Sequence, residues 1–153
     1  MVMDTIVCGV DGSDQARLAL QAAGVLAERL GARLVVVNVA PDPAVPGASA
    51  APAGVLRVAA AEEEDARALV AEMLEGLAIR DAEIRVVFGA HPGAALRAVA
   101  AENEAGLVVV GARGRGRIAS AVLGSVSSDV VAHAVCPVLI VPGDHDKLGP
   151  RAR

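Results

Sequence analysis

Five short runs of almost unbroken aliphatic residues recur along the chain, with longer stretches of helical periodicity between them. The runs are Thr5 to Val10 (TIVCGV), Arg33 to Val39 (RLVVVNV), Glu83 to Phe88 (EIRVVF), Leu107 to Val110 (LVVV) and Val138 to Val141 (VLIV). Runs this short and this apolar read as strands buried on both faces, the habit of a parallel sheet. Helices are predicted from about Gln15 to Leu30, Val55 to Ile79, Pro92 to Glu104 and Val126 to Ala134. Strands alternating with helices predict an α/β fold, an open parallel sheet with right-handed crossovers and helices on both faces.

Local signals mark the junctions. Ser13 reads as the N-cap of the first helix, with Asp14 adding favourable charge at its positive end and Gly31 stopping it. That helix should bury Ala19, Ala22, Ala23, Leu26 and Leu30. Pro92 suits the first turn of the third helix. Between Pro41 and Gly54 the chain is rich in Pro, Ala, Gly and Ser and reads as a long irregular connection. The acidic run Glu62 to Asp65 reads as a solvated helix face.

Composition narrows the function classes. Hydrophobic residues make up 54% of the chain, but Phe88 is its single aromatic residue. Bases therefore cannot be stacked on an aromatic platform. A net charge of −4 gives no overall attraction to nucleic acid or anionic lipid. Membrane spanning needs about 20 consecutive apolar residues, and Arg and Glu interrupt every long Ala-rich stretch. The N-terminal region carries no signal-peptide pattern, and the expectation is a cytoplasmic protein without nucleic-acid or membrane partners. Cys8 and Cys136 form no CxxC pair and read as small buried hydrophobes.

Ligands of open parallel sheets sit beyond the carboxyl ends of the strands, where strand order reverses. That rule selects the residues after Val10, Val39 and Val110. After Val110 the chain reads GARGRGRIASAVLGSVSS, in which nine residues separate Gly111-x2-Gly114 from Gly124-Ser125. Glycines let main-chain N–H groups approach an anion without a Cβ in the way. Gly124, Ser125 and Val126 then open a helix, where free amides and the helix dipole favour phosphate, and the Ser125 and Ser127 hydroxyls add donors. Arg113, Arg115 and Arg117 put three cations in five residues, fit either for bidentate phosphate contacts or for a solvated basic loop. The spacing is not that of a Walker P-loop, and no G-x-G-x-x-G follows the first strand. Asp11 at the tip of the first strand reads either as an acceptor for ligand hydroxyls or as an Asx-turn residue.

Val10-Asp11-Gly12-Ser13, the G-x2-G-x9-G-S segment closed by Val126-Ser127, and Cys136-Pro137-Val138-Leu139-Ile140-Val141 together resemble the universal stress protein family. The likeness runs from about Asp4 to Val141. It implies a single domain over residues 1–142 followed by a polar tail, 143–153, and a five-stranded sheet in the order 3-2-1-4-5. It also implies an ATP ligand, with Mg2+, bound by the subgroup that keeps the glycine motif. Asp11 would then contact the ribose or adenine side, and backbone near Gly9, Val10 and Val39 would line the adenine pocket beside Val110. Gly111, Arg113, Gly114, Gly124, Ser125, Val126 and Ser127 would hold the phosphates. The fifth strand commonly pairs with its counterpart in a second chain of this family, which implies a homodimer through Val138 to Val141.

The leading expectation is a nucleotide-dependent stress-response or regulatory binding module. A slow ATP hydrolase or phosphoryl-transfer enzyme is the alternative, and a nucleotide-free scaffold dimer the second alternative. Catalysis would need a group to orient water. His91, after the third strand, is the outside candidate; His133 reads as a helix-end residue, and His145 belongs to the tail.

Overall fold

The computed structural model describes residues 3–43, 52–113 and 123–143. Its elements alternate throughout: β1 (Thr5–Gly9), α1 (Asp14–Leu30), β2 (Arg33–Ala40), α2 (Pro52–Gly76), β3 (Ala82–Phe88), α3 (Pro92–Glu102), β4 (Leu107–Gly111), α4 (Ser125–His133) and β5 (Val138–Val141). All strand pairings are parallel, and the sheet order is β3-β2-β1-β4-β5. The chain thus winds outward from β1 through β2 to β3, then crosses to β4 and β5. The order reverses between β1 and β4, so the crevice between their carboxyl ends is the switch point.

The period-2 alternation of strand side chains divides the aliphatic residues into two cores. Ile6, Cys8, Leu34, Val36, Leu107 and Val109 face α1 and α2, where Ala19, Leu20, Val70 and Met73 cover them. Val7, Val35, Val37, Val108 and Val110 face α3 and α4, against Leu96, Val99 and Val130. The three central strands are therefore buried on both sides, which explains why their sequences lack polar alternation. No helix among the described residues is long and apolar enough to cross a membrane.

Helix ends follow their local signals. The Ser13 hydroxyl accepts a hydrogen bond from the Ala16 N–H, and Gly31 ends α1 in the left-handed region at φ 65°. Pro92 stands in the first turn of α3, where its missing N–H costs nothing.

Three expectations need correction. Leu30 is 51% exposed, and the buried stripe of α1 is instead Ala16, Ala19, Leu20, Ala23 and Ala27. Small side chains along that stripe let the helix sit close to the sheet, while Leu30 is the last residue of the helix. The second helix begins at Pro52 rather than Val55, since proline is well suited to a first turn, and it ends at Gly76. Beyond that end Ala78 turns the chain at φ 55° and Ile79 packs against the α1/α2 core from outside the helix. The acidic run is not uniformly solvated either: Glu64 and Asp65 are exposed, but Glu62 is half-buried and its Oε2 is shielded from solvent. Most of the Pro41 to Gly54 connection, and the tail from residue 144 with His145, lie outside the described residues.

Candidate functional site

The turn after β1 is built from short-range contacts. The Asp11 Oδ1 accepts the Ser13 N–H at 3.0 Å, forming an Asx-turn, and the Ser13 hydroxyl accepts the Ala16 N–H at 3.1 Å. Gly12 takes φ 80°, in the left-handed region that the turn requires and glycine adopts without strain. Two contacts tie this turn to β2: the Val10 N–H donates to the Val37 carbonyl at 2.9 Å, and the Asn38 Nδ2 donates to the Val10 carbonyl at 3.1 Å. Asn38 is only 8% exposed, so its amide secures a main-chain carbonyl that would otherwise be buried unpaired. Nothing in the periodicity had distinguished Asn38 from its aliphatic neighbours. The signal available was a lone amide inside an otherwise apolar strand.

Register aligns the three tips. The β1–β2 pairing runs Thr5↔Arg33 to Gly9↔Val37, and the β1–β4 pairing runs Ile6↔Leu107 to Cys8↔Val109. Continued to Asp11, two residues along the first register and three along the second, these pairings set Asp11 level with Val39 on one side and Ala112 on the other, with neighbouring strands about 4.8 Å apart. Val39 is half-buried in the α3/α4 core, and Val10 and Val110 are buried. Gly9 has little room for a side chain, because an added Cβ would stand 2.8 Å from the Cδ2 of the buried Leu96. At Gly9, Val10 and Val110, then, no side chain reaches a ligand, and the Val10 N–H and carbonyl are already paired with β2, the carbonyl keeping one further lone pair.

The base of the glycine-rich segment is assembled from distant parts of the chain. The Ala112 N–H donates to the Val141 carbonyl at 2.8 Å, linking the exits of β4 and β5. The Arg113 N–H donates to the Gln15 Oε1 at 2.7 Å. Across the segment, the Gly124 N–H donates to the Ala112 carbonyl at 2.8 Å. The Ser127 hydroxyl, on a residue 2% exposed, lies 2.9 Å from that carbonyl and 3.0 Å from the Gly124 carbonyl. Gly111 brings β4 hard against α1: a Cβ there would meet the Gln15 carbonyl carbon and oxygen at 3.1 Å.

These contacts redistribute the expected donors. Gly124 uses its amide to close the segment's base, and the Ser127 hydroxyl does the same. The donors available to a ligand therefore begin with the main-chain N–H groups of Ser125, Val126 and Ser127, the first turn of α4, whose geometry provides no intrahelical acceptors. The Ser125 side chain is exposed. Gly114, Arg115 and Arg117 lie outside the described residues.

The other singled-out groups stand apart from this cluster. His91 is the exposed N-cap residue of α3. His133 is in the last turn of α4, its Nδ1 3.2 Å from the Asp129 Oδ1, and the Arg97 Nη2 lies 3.3 Å from the Asp129 Oδ2. Asp129 packs against Gly93 in the first turn of α3, so it also places negative charge at the positive end of that helix. Cys8 is fully enclosed, and burial pushes its thiol up to about 12. Cys136 is half-buried against the α3/α4 core; burial raises its thiol and a backbone hydrogen bond with Val108 lowers it, the first effect being larger. Both behave as packing residues.

The sequence profile of the universal stress protein family matches residues 3–142. A universal stress protein of Thermus aquaticus, from the QAH/OAS sulfhydrylase 3′ region, is 39% identical over 141 residues, covering 90% of this chain and 97% of its own. Among solved structures, the universal stress protein UspA of Lactobacillus plantarum superposes with TM-score 0.75 at 26% identity, covering 92% of this chain and 99% of its own. A universal stress protein crystallised in complex with cAMP superposes with TM-score 0.69 at 29% identity, covering 94% of this chain and all of its own. The chain belongs to the universal stress protein family.

Proposed function

We propose that this member of the universal stress protein family is a nucleotide-dependent regulatory module that binds ATP, accompanied by Mg2+, across the tips of β2, β1 and β4. The observation that carries the reading is the convergence at the switch point: Asp11, the Val39 level and Gly111 to Arg113 lie on adjacent strand ends. A closed loop base then delivers the first turn of α4 to the same end of the sheet. An adenine nucleotide has two parts to recognise. Main chain at Gly9, Val10, Val39 and Val110 forms the base and sugar side, with Asp11 accepting hydroxyl hydrogen bonds. On the phosphate side the main-chain amides of Ser125, Val126 and Ser127 are the main electrostatic attraction, with Gly111, Arg113, Gly114 and Gly124 framing the segment. The family relative in complex with cAMP supports the ligand class.

Among the described residues no group of three or more His, Cys, Asp or Glu is assembled for a metal ion. Mg2+ is therefore proposed to arrive with the nucleotide, held by phosphate oxygens and water, as that ion prefers. ATP acts in this reading as a ligand that shifts conformation or partner choice, not as a reactant. The module is further proposed to be a homodimer through β5. That strand is a sheet edge whose four residues are all half-buried, and Val135 beside it is 81% exposed. Apolar edges of this kind need covering.

Calorimetry of the purified protein with ATP, AMP and cAMP, each with and without Mg2+, tests the reading. ATP is expected to bind most tightly, with Mg2+ strengthening it, to a protein that sediments as a dimer and turns over negligible ATP. Binding of none of the three at millimolar concentration would contradict it.

A further inference from the structure

Gln15, the second residue of α1, touches two strand exits at once. Its Oε1 accepts the Arg113 N–H at 2.7 Å, and its main-chain carbonyl packs on Gly111. Its Nε2 lies 2.9 Å from where a Cβ on residue 143 would stand, beyond the end of β5. The two exits are also joined to each other, through the Ala112 N–H and the Val141 carbonyl. One neutral amide on a capped helix turn thus sits at the junction of three chain segments, at the exit of β4.

We propose that Gln15 is a positioning residue for nucleotide binding: it fixes the Arg113 peptide at the exit of β4, on the phosphate side of the site. This rests on the nucleotide reading above. Three features support the assignment. The hydrogen bond is short, and it crosses 98 residues of sequence, so it constrains where the segment starts and not merely its local turn. Glycine at positions 111 and 143 provides the space in which the Gln15 main chain and amide sit. The amide is uncharged, so it supplies an acceptor without placing negative charge beside a polyphosphate. Glutamate would keep the acceptor but add that repulsion.

Amide hydrogen exchange at Arg113, measured by NMR on the labelled full chain, together with ATP titration calorimetry, tests the proposal. In Gln15→Leu, exchange at Arg113 should accelerate about tenfold, the equivalent of one ordinary hydrogen bond, and ATP affinity should fall about threefold to tenfold. Gln15→Glu should retain the Arg113 protection, because its carboxylate still accepts, while binding ATP more weakly at low salt than at high salt relative to the wild type. Gly143→Ala removes no hydrogen-bonding group, yet its methyl should displace the Gln15 amide and reproduce the Arg113 acceleration.

Unchanged Arg113 exchange in both Gln15→Leu and Gly143→Ala overturns the proposal. So does accelerated exchange with undiminished ATP affinity. If Gln15→Leu does not fold, the Glu and Gly143→Ala variants decide the matter alone. Should the wild type bind no ATP, the nucleotide reading falls, and with it Gln15's role in binding; the exchange comparison still decides whether Gln15 holds Arg113.

Discussion

The two halves of the candidate site are built in opposite ways. The β1 turn is closed mainly by its own residues: Asp11 to Ser13 and Ser13 to Ala16 span two and three positions. The β4 exit is closed by residues from α1, α4 and β5, with one hydrogen bond crossing 15 positions and another 98. A self-closed turn meets little opposition from chain entropy, because its closures are short. A base assembled from three elements exists only once the sheet has ordered them. Damage to the first should therefore stay local, whereas damage to the second should spread.

Gly111→Val should show the largest effect. Its branched side chain would push against the main chain of the first turn of α1, which cannot swing aside as a side-chain tip would. A loss of about 1–3 kcal/mol is expected, read as a lower urea midpoint at unchanged slope. Amide exchange should rise in α1, at Ala112 and at the end of β5 together. A rise confined to β4 would break the comparison.

Ser13→Ala should cost about 1 kcal/mol, the usual value of a helix N-cap. Its exchange changes should stay within the first turn of α1, leaving Ala112 and Gly124 as they were. Ser127→Ala should cost less, about 0.5–1 kcal/mol, because the Ala112 carbonyl keeps the Gly124 N–H. Its exchange changes should nevertheless reach Arg113 and Gly124, across the base of the segment. The comparison is sharpened by this inversion: the smaller energetic effect travels further. Equal spread in the two serine variants would contradict it.

The same contrast explains what could be read from the sequence. The β1 turn was legible because Asp11, Gly12, Ser13 and Asp14 carry their conformational preferences in adjacent letters. Strand positions and the two-layered cover of helices were legible because burial on both faces leaves uninterrupted aliphatic runs. The bounds of β5 follow directly from Pro137 and Pro142. Gln15 and Asn38 were not legible, since an amide's partner across 98 or 28 positions depends on register, and register is set by the whole sheet. For the same reason Ser127 read as a free hydroxyl and Gly124 as a free amide, while the fold engages both in closing the loop base. Leu30 was misplaced because a helical stripe predicts which side faces the core, but not how far toward the helix end the cover extends.

The tips of β2, β1 and β4 and the first turn of α4 are proposed to form one adenine-nucleotide site. Titrating the labelled chain with Mg-ATP and following every backbone amide by NMR tests it most directly. The account predicts saturable shifts concentrated at Asp11 to Ser13, Val39, Gly111 to Arg113 and Ser125 to Ser127, with the β3 edge and the α2 surface unmoved. Saturable shifts centred elsewhere, or none at millimolar Mg-ATP, would contradict it.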